Sequence, residues 1–212
     1  MVICYDELVG HRFVANQTAR VPHERGAYLV RTNAQGFRSD TDFQAKKGER
    51  PRILLFGDSF TAGDGCNNHE RYSSVLEREL GAEVYNFGVS GTGTDQQLLI
   101  YEHYARHMEA DLIILAVQIE NIARIQRSHR SSRDRTTGNI LLVPKPYFTL
   151  DGDRLVRHHD PVPVERPLAD SPQSVMGGAE TVPKRGLMGH AINIYKTKKE
   201  LAWLRELGRG PL

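Results

Sequence analysis

Three short, strand-like segments rich in apolar residues constrain the fold of this 212-residue chain more than any other feature. They cover residues 52–56, 83–87 and 112–117, and two stretches with helical spacing separate them. A short apolar run is typical of a strand that is buried on both faces, as in a parallel sheet. Strands and helices that alternate with short links predict an α/β fold, a three-layer, flavodoxin-like and doubly wound parallel sheet.

Helical periodicity defines the two linking stretches. Residues 67–80 place apolar side chains at helical spacing, and Gly81 follows them where a helix C-terminal glycine belongs. The apolar positions of this stretch are Tyr72, Val75, Leu76 and Leu80. Thr94 and Gln97 form a capping-box pattern, which predicts a second helix that runs to about residue 109. Its expected buried stripe is Leu98, Tyr101, Ala105 and Met108.

The pattern divides the chain into four segments, which are residues 1–50, 51–125, 126–190 and 191–212. The first is expected to be an extension with short strands, of which only 27–32 can be located from the sequence, and the second is the α/β core. The third holds many Pro and Gly residues and predicts a loop-rich insertion with a β-hairpin. The strands expected in this insertion are 140–143, 147–150 and 154–157. The fourth predicts one amphipathic helix over about residues 194–207.

Composition excludes several classes of protein. The 28 basic and 26 acidic residues nearly balance, which argues against a dedicated nucleic-acid binder. Cys4 and Cys66 form neither a CxxC zinc pair nor a disulfide scaffold, and no apolar stretch is long enough to span a membrane. Residues 1–11 lack the basic and apolar regions of a secretory signal, so the expected location is the cytoplasm.

Polar loops follow all three predicted strands. Gly57-Asp58-Ser59 follows the first, residues 86–94 follow the second, and residues 118–121 follow the third. Open α/β sheets bind their ligands at the carboxyl ends of the strands, so these loops are expected to meet. Ser59 could act there as a nucleophile, and the backbone near Gly91 could stabilise an oxyanion. Each loop alone is equally well explained as an ordinary turn, because Gly, Asp and Ser favour turns.

Together these blocks resemble the SGNH (GDSL-type) hydrolase superfamily, and a bacterial branch of it in particular. The GDS block corresponds to residues 57–59 and the glycine block to residues 86–91. The stretches 32–38 and 94–98 are also similar to that branch, and the whole resemblance covers residues 28–125.

The resemblance implies an acyl-enzyme mechanism. Ser59 is the implied nucleophile, and its own N–H, the N–H of Gly91 and an asparagine side chain would form the oxyanion hole. The third block departs from the superfamily pattern Gly-x-Asn-Asp, because Glu120 occupies the asparagine position and Asn121 follows it. We expect Asn121 to fill this role, since only its amide can donate a hydrogen bond at neutral pH.

The general base is not identified by the sequence. The superfamily carries Asp-x-x-His near its C-terminus, and these 212 residues lack that pattern. The chain is therefore expected to be the N-terminal part of a longer hydrolase, with an incomplete sheet. His158, His159 and His190 could reach the serine, although surface positions explain them as well. His103 and His107 suggest a metal pair by their spacing, but a solvated helix face is the simpler explanation, and neither a metal nor a cofactor is expected.

Basic residues concentrate between positions 124 and 135. The stretch contains one acidic residue, Asp134, and five arginines, which are Arg124, Arg127, Arg130, Arg133 and Arg135. These arginines could contact an acidic substrate, such as an anionic polysaccharide or a phosphate group, or they could form a solvated loop. The stretch is short and lacks the interleaved aromatic residues of a nucleic-acid site.

These observations predict a serine hydrolase that cleaves a carboxylic ester, either a small ester or an acylated glycan. An O-acyltransferase that uses the same site is one alternative, because a sugar hydroxyl can accept the acyl group in place of water. A non-catalytic or truncated domain that binds a carbohydrate or a partner chain is the other. No pattern in the sequence indicates an oligomeric state.

Overall fold

The computed structural model describes residues 2–24, 26–133, 140–164 and 192–193. In these residues the strands are β1 (Ile3–Asp6), β2 (Gly10–Phe13), β3 (Thr18–His23), β4 (Gly26–Arg31), β5 (Arg52–Phe56), β6 (Glu83–Asn86), β7 (Leu112–Ala116), β8 (His129–Arg133), β9 (Ile140–Pro144), β10 (Tyr147–Asp151), β11 (Arg154–His158) and β12 (Ile192–Asn193). The α-helices are α1 (Ser59–Ala62), α2 (Tyr72–Leu80) and α3 (Thr94–Ile100). The other helical elements are the 3₁₀-helices Asn68–Glu70 and Ile119–Gln126 and the π-helix Tyr101–Ala105.

Strand β5 lies at the centre of a four-stranded sheet with the order β12–β7–β5–β6. It pairs in parallel with β6 on one side and with β7 on the other, which confirms the three parallel strands predicted from the apolar runs. β12 adds an antiparallel edge, with Ile192 opposite Ala116. Because β5, β6 and β7 run in the same direction, the loops that follow them leave from one edge of the sheet.

The two faces of β5 pack into two separate apolar clusters. Leu54 and Phe56 belong to the larger cluster, whereas Ile53 and Leu55 belong to the smaller one. All five residues of the strand are buried, as the continuous apolar run predicts. Side chains alternate between the two faces of a strand, so both faces of the sheet are covered. Burial of this kind fixes the end of β5, and therefore the loop after it, in a rigid framework.

The N-terminal segment contributes directly to the larger cluster. Val9, Phe13, Phe37 and Phe43 are all buried there beside Phe87. The sequence predicts short strands in this segment and locates one of them, at 27–32; the structure has two antiparallel hairpins, β1–β2 and β3–β4. The additional strands are short and carry many polar residues, so no apolar run or strict alternation marks them.

The two helices predicted between the strands are present, with changes at their ends. α2 begins only at Tyr72 and ends at Leu80, and the backbone of the following Gly81 is left-handed, as expected of a C-terminal glycine. The predicted Thr94–Gln97 cap is wrong by one residue, because Gly93 is the cap and its N–H donates to the side chain of Gln96.

The expected stripe of the second helix is also partly wrong, because Leu98 is exposed while Leu99 and Ile100 are buried. Leu98 lies in α3, and the apolar residues that this helix buries are the two that follow it, immediately before the π-helix begins at Tyr101. Ala105 of the predicted stripe is buried, and Tyr101 and Met108 pack against the larger cluster.

Two further hairpins, β8–β9 and β10–β11, lie in the predicted insertion. The three strands expected at 140–143, 147–150 and 154–157 are confirmed. The arginine-rich stretch, for which a solvated loop is one of two alternatives, holds the end of the 3₁₀-helix Ile119–Gln126 and the strand β8, which pairs with β9. Most of the loop predicted at 160–190 and the helix predicted at 194–207 lie outside the described residues. Within the described ranges, no helix has the length and apolar character that crossing a membrane requires.

Candidate active site

Ser59 is the first residue of α1, three positions after the central strand β5 ends. Asp58 caps this short helix, because its carboxylate accepts a hydrogen bond from the N–H of Phe60 at 3.0 Å. A glycine is required at position 57, since a Cβ there would lie 2.0 Å from the Oγ1 of Thr61. The carbonyl of Ser59 accepts hydrogen bonds from the N–H groups of both Gly63 and Asp64. These contacts hold the serine in a sharply turned segment at the carboxyl edge of the sheet.

The hydroxyl of Ser59 is half-buried, and its Oγ forms no hydrogen bond with any residue that the structure describes. Its backbone N–H and that of Gly91 likewise donate to no described residue. These three polar groups of the two loops are therefore not engaged by the described part of the chain.

The glycine block after β6 packs tightly against α1. Asn86 is buried and donates from its Nδ2 to the carbonyl of Thr61 at 2.7 Å, while its Oδ1 accepts from the N–H of Gly88 at 2.9 Å. A Cβ at Gly88 would lie 2.5 Å from the backbone nitrogen of Ala62, so only glycine allows this approach. The second loop is thereby positioned on the first.

Gly91 lies in this second loop with a φ of +83°, in the left-handed region that favours glycine. The residue before it is held from two sides. The Oγ of Ser90 donates to the carboxylate of Asp64 at 2.7 Å, and the carbonyl of Ser90 lies 2.9 Å from the Nε2 of His11. The backbone around Gly91 therefore has a defined orientation beside the serine loop.

Asn121 reaches the serine loop from the third strand. It lies in the 3₁₀-helix Ile119–Gln126, and its Nδ2 donates to the Oδ2 of Asp58 at 2.5 Å. Glu120 is exposed, and its carboxylate accepts from the side-chain amide of Gln118. Of the two candidates in the third block, the structure therefore brings Asn121 to the residue that precedes Ser59.

Asp58 also contacts Arg124, whose Nη1 lies 3.5 Å from its Oδ2. The same nitrogen donates to the carbonyl of Thr92 at 3.0 Å. The side chain of Asp58 is almost fully buried, and a buried carboxylate needs such partners. Asp58 and Arg124 together thus join the loops that follow all three parallel strands.

A scan against protein-family models matches residues 53–176 to the GDSL-like lipase/acylhydrolase family. This match spans more than half of the chain and includes all three candidate site residues. The chain belongs to the GDSL-like lipase/acylhydrolase family. The resemblance to the SGNH superfamily is thereby confirmed, and membership supports an activity of the acylhydrolase or esterase type. No curated protein matches the chain significantly.

In this GDSL-family protein, the side chain of Arg38 holds the backbone that follows Ser59 through hydrogen bonds. Its buried guanidinium donates to the carbonyls of Ala62, Gly63 and Cys66 at 2.7–2.9 Å. It also contacts the side-chain oxygen of Asn68. The sequence places Arg38 in a block similar to the superfamily, but no sequence pattern indicates that this side chain holds the nucleophile loop.

His11 is a second residue that the sequence did not single out. It is buried behind Gly91, and burial together with the positive charge of Arg130 lowers its pKa to about 4. The ring is therefore neutral at pH 7, and its Nε2 carries the proton that it donates to the carbonyl of Ser90. The opposite nitrogen, Nδ1, has no hydrogen-bond partner among the described residues. A histidine buried in this way orients the glycine loop.

The histidines considered as bases have other partners in the family member. His158 pairs with the Oγ1 of Thr149 at 2.7 Å, and His159 lies 2.8 Å from the carbonyl of Lys145. His190 lies outside the described residues. His103 and His107 are both exposed, and the described residues contain no group of three side chains that could hold a metal ion.

Proposed function

We propose that this GDSL-family protein is a serine hydrolase that cleaves a carboxylic ester, of a small molecule or of an acylated glycan. The observation that carries the proposal is the hydrogen bond from the Nδ2 of Asn121 to Asp58. It fixes a side-chain amide beside the residue that precedes Ser59. An amide at that place is the donor that a serine hydrolase needs next to its nucleophile.

In the proposed mechanism, the Oγ of Ser59 attacks the carbonyl carbon of the ester and gives up its proton to a base. The carbonyl oxygen becomes an oxyanion, which the N–H groups of Ser59 and Gly91 and the amide of Asn121 stabilise. The amide of Asn121 has two N–H bonds, and Asp58 takes one of them, so the second is available to the oxyanion. The tetrahedral intermediate collapses, releases the alcohol and leaves an acyl group on the serine. Water then attacks this acyl-enzyme and releases the acid.

The proposed fold behind this mechanism is a three-layer, flavodoxin-like arrangement. Support comes from the order β7–β5–β6 and from the apolar clusters on both faces of β5. Leu76 and Leu80 of α2 pack against one face, while Leu99 and Ile100 of α3 lie in the cluster on the other. Such an arrangement binds its ligand at the carboxyl ends of the strands, where Ser59 lies.

Hydrolysis of 4-nitrophenyl acetate tests the proposal. We expect turnover by the wild-type protein and its loss in Ser59→Ala, because the variant lacks the attacking oxygen. Ser39→Ala is the matched control, since that hydroxyl bonds the backbone carbonyl and N–H of Thr41 in an exposed turn, away from the site. Turnover that persists in Ser59→Ala, or its absence in folded wild-type protein, would contradict the proposal.

The same assay separates hydrolysis from acyl transfer. The proposal predicts that free acetate forms at the same rate as 4-nitrophenol, even when a sugar is added as a competing acceptor. Acetylated sugar as the main product would instead favour the O-acyltransferase, which uses the same serine.

A further inference from the structure

A small basic cavity lies directly against Gly91. It has a volume of about 200 Å³, and the side chains that give it its charge are Arg124, Arg127, Arg130 and Lys145. His129 and Ser131 complete the lining. Drug-sized ligands occupy pockets of about 300–1,000 Å³, so this cavity suits one substituent of a ligand rather than a whole molecule.

The position of the cavity connects it to the proposed oxyanion hole. Gly91 forms part of its wall, and the Nη1 of Arg130 lies 3.5 Å from the position that a Cβ on Gly91 would take. A group bound in this cavity would therefore be a close neighbour of an ester carbonyl held by the N–H of Gly91. A larger groove of about 490 Å³ lies beside α2, but its lining is mainly apolar and includes none of Ser59, Gly91 and Asn121.

The charge of the cavity is not balanced by its own lining. None of the described residues that line it is acidic. Arg124 is compensated by Asp58, and Lys145 forms a buried ion pair with Asp95. Arg127 is exposed and forms no ion pair with any described residue. The cavity therefore presents positive charge to whatever enters it.

Lys145 holds part of the lining of the cavity in position. Besides its ion pair with Asp95, its Nζ donates to the carbonyls of Arg127 and Pro146 at 3.1 and 2.8 Å. The lysine thus uses its donors on the protein and holds the backbone of Arg127 in place. The guanidinium of Arg127 remains as a group suited to an incoming ligand, since its planar N–H donors match the oxygens of a carboxylate or a phosphate.

We propose that this cavity binds an anionic group of the substrate, so that the ester this protein cleaves carries a carboxylate or a phosphate near the scissile bond. The proposal rests on the ester hydrolysis proposed above and names its substrate class. The arginines then act in substrate binding, and the chemical step remains with Ser59. A neutral lipid ester lacks the charge that this cavity recognises.

The kinetic test compares a neutral ester, 4-nitrophenyl acetate, with mono-4-nitrophenyl succinate, which has a carboxylate on the acyl side, and with 4-acetoxybenzoate, which has one on the alcohol side. We expect the wild-type protein to prefer at least one anionic ester by about tenfold in kcat/KM, the scale of a charge-assisted hydrogen bond. Arg127→Gln should abolish this preference. Arg50→Gln is the matched control, because it removes an equal charge far from the cavity. Arg50 is exposed and lies two residues before β5 begins, at the other edge of the sheet from Gly91.

A wild-type protein without any preference for the anionic esters would overturn the proposal. So would a preference that Arg127→Gln retains in full or that Arg50→Gln loses equally. If the protein hydrolyses the neutral ester but shows no preference for the anionic esters, the proposed esterase function stands and only the proposal of an anionic substrate is wrong.

Direct binding tests the cavity independently of catalysis. Inorganic phosphate and succinate are titrated by calorimetry into Ser59→Ala protein and into the same protein with Arg127→Gln. The proposal is supported if either anion binds and Arg127→Gln weakens that binding about tenfold. The anion that binds more tightly then indicates whether the cavity recognises a phosphate or a carboxylate. If folded Ser59→Ala protein binds neither anion, the proposal is wrong, whether or not the wild type cleaves esters.

Discussion

The Nδ2 of Asn121 lies 2.5 Å from the Oδ2 of Asp58, and this hydrogen bond joins the loop after β7 to the loop after β5. The carboxylate of Asp58 is almost fully buried and also caps the helix that begins at Ser59. One side chain therefore sets the orientation of both the proposed nucleophile and the proposed amide donor. The predictions below follow from this arrangement and from the residues around it.

The first prediction concerns the donor of the third block. Asn121→Ala should lower kcat for 4-nitrophenyl acetate by about 10²–10³-fold, because one oxyanion donor is lost. Glu120→Gln is the matched control in the neighbouring position and should change kcat little, since the side chain of Glu120 is exposed. Steady-state kinetics on both variants measures the difference. A large loss in Glu120→Gln with normal kcat in Asn121→Ala would reverse the assignment.

The second prediction concerns the backbone of Gly91. Gly91→Ala has space for its Cβ, with the nearest atom at 3.5 Å, but its φ of +83° disfavours any side chain. We expect a loss of stability of about 1 kcal/mol, together with a fall in kcat of about 10²-fold as the N–H moves away from the oxyanion. Thermal unfolding and ester kinetics report the two effects separately.

Gly81→Ala is the control for this backbone effect. Gly81 has a φ of +60° at the end of α2, and nothing lies within 4 Å of its Cβ position. The same strain should destabilise the protein by about 1 kcal/mol without a loss of activity. Equal losses of activity in the two alanine variants would show that the Gly91 effect is only a loss of folded protein.

The third prediction concerns Arg38. Arg38→Met removes the donor from the carbonyls of Ala62, Gly63 and Cys66 and should destabilise the protein by about 3 kcal/mol or more, because buried acceptors remain unsatisfied. Arg31→Met removes only an exposed ion pair with Asp40 at 3.9 Å and should cost less than about 1 kcal/mol. Urea unfolding of the two variants measures this difference, and similar costs would contradict the role of Arg38.

The fourth prediction is a pH dependence of stability that originates at His11. Its pKa of about 4 in the folded protein lies below the ordinary value of 6.5, so the unfolded chain binds more protons between these pH values. The folding stability should therefore fall as the pH falls from about 6.5 toward 4. The charges that act on the ring are those of Arg130 and Lys145, which lower its pKa, and that of Asp6, which raises it.

Urea unfolding at pH 7.5 and at pH 4.5 measures this effect. Between these conditions His11→Gln should lose about 2.5 kcal/mol less stability than the wild type, since the glutamine has no proton to take up. The difference between the two proteins removes the contribution of the other titrating groups. Equal losses in the two proteins would mean that His11 is protonated as easily in the folded state as in the unfolded state.

Much of the sheet could be predicted from the sequence, because burial on both faces leaves an unmistakable apolar run. The strand at 52–56 follows that rule fully, since all five residues of β5 are buried, whereas β6 and β7 are buried only in part. The hairpins of the N-terminal segment could not be predicted, since their strands are short and polar and are held by residues far along the chain. Tyr5, for example, donates to the carbonyl of Val162.

The candidate site likewise could be predicted only in part from the sequence. Ser59 and Gly91 follow strands that the sequence indicates, so their loops could be placed at one sheet edge in advance. The choice between Glu120 and Asn121 depends on a 3₁₀-helix that turns one side chain to Asp58, and no local pattern predicts this turn. His11, Arg38 and the basic cavity depend on contacts between distant segments, which periodicity does not reveal.

The central claim is that Ser59 is the nucleophile, and covalent labelling tests it most directly. The intact protein is treated with a fluorophosphonate, its mass is measured, and the modified peptide is sequenced by mass spectrometry. The account predicts one adduct, on Ser59, that is absent from Ser59→Ala and present in Ser39→Ala. An adduct on another residue would contradict it. So would a reagent that blocks the ester hydrolysis of active protein while Ser59 stays unmodified.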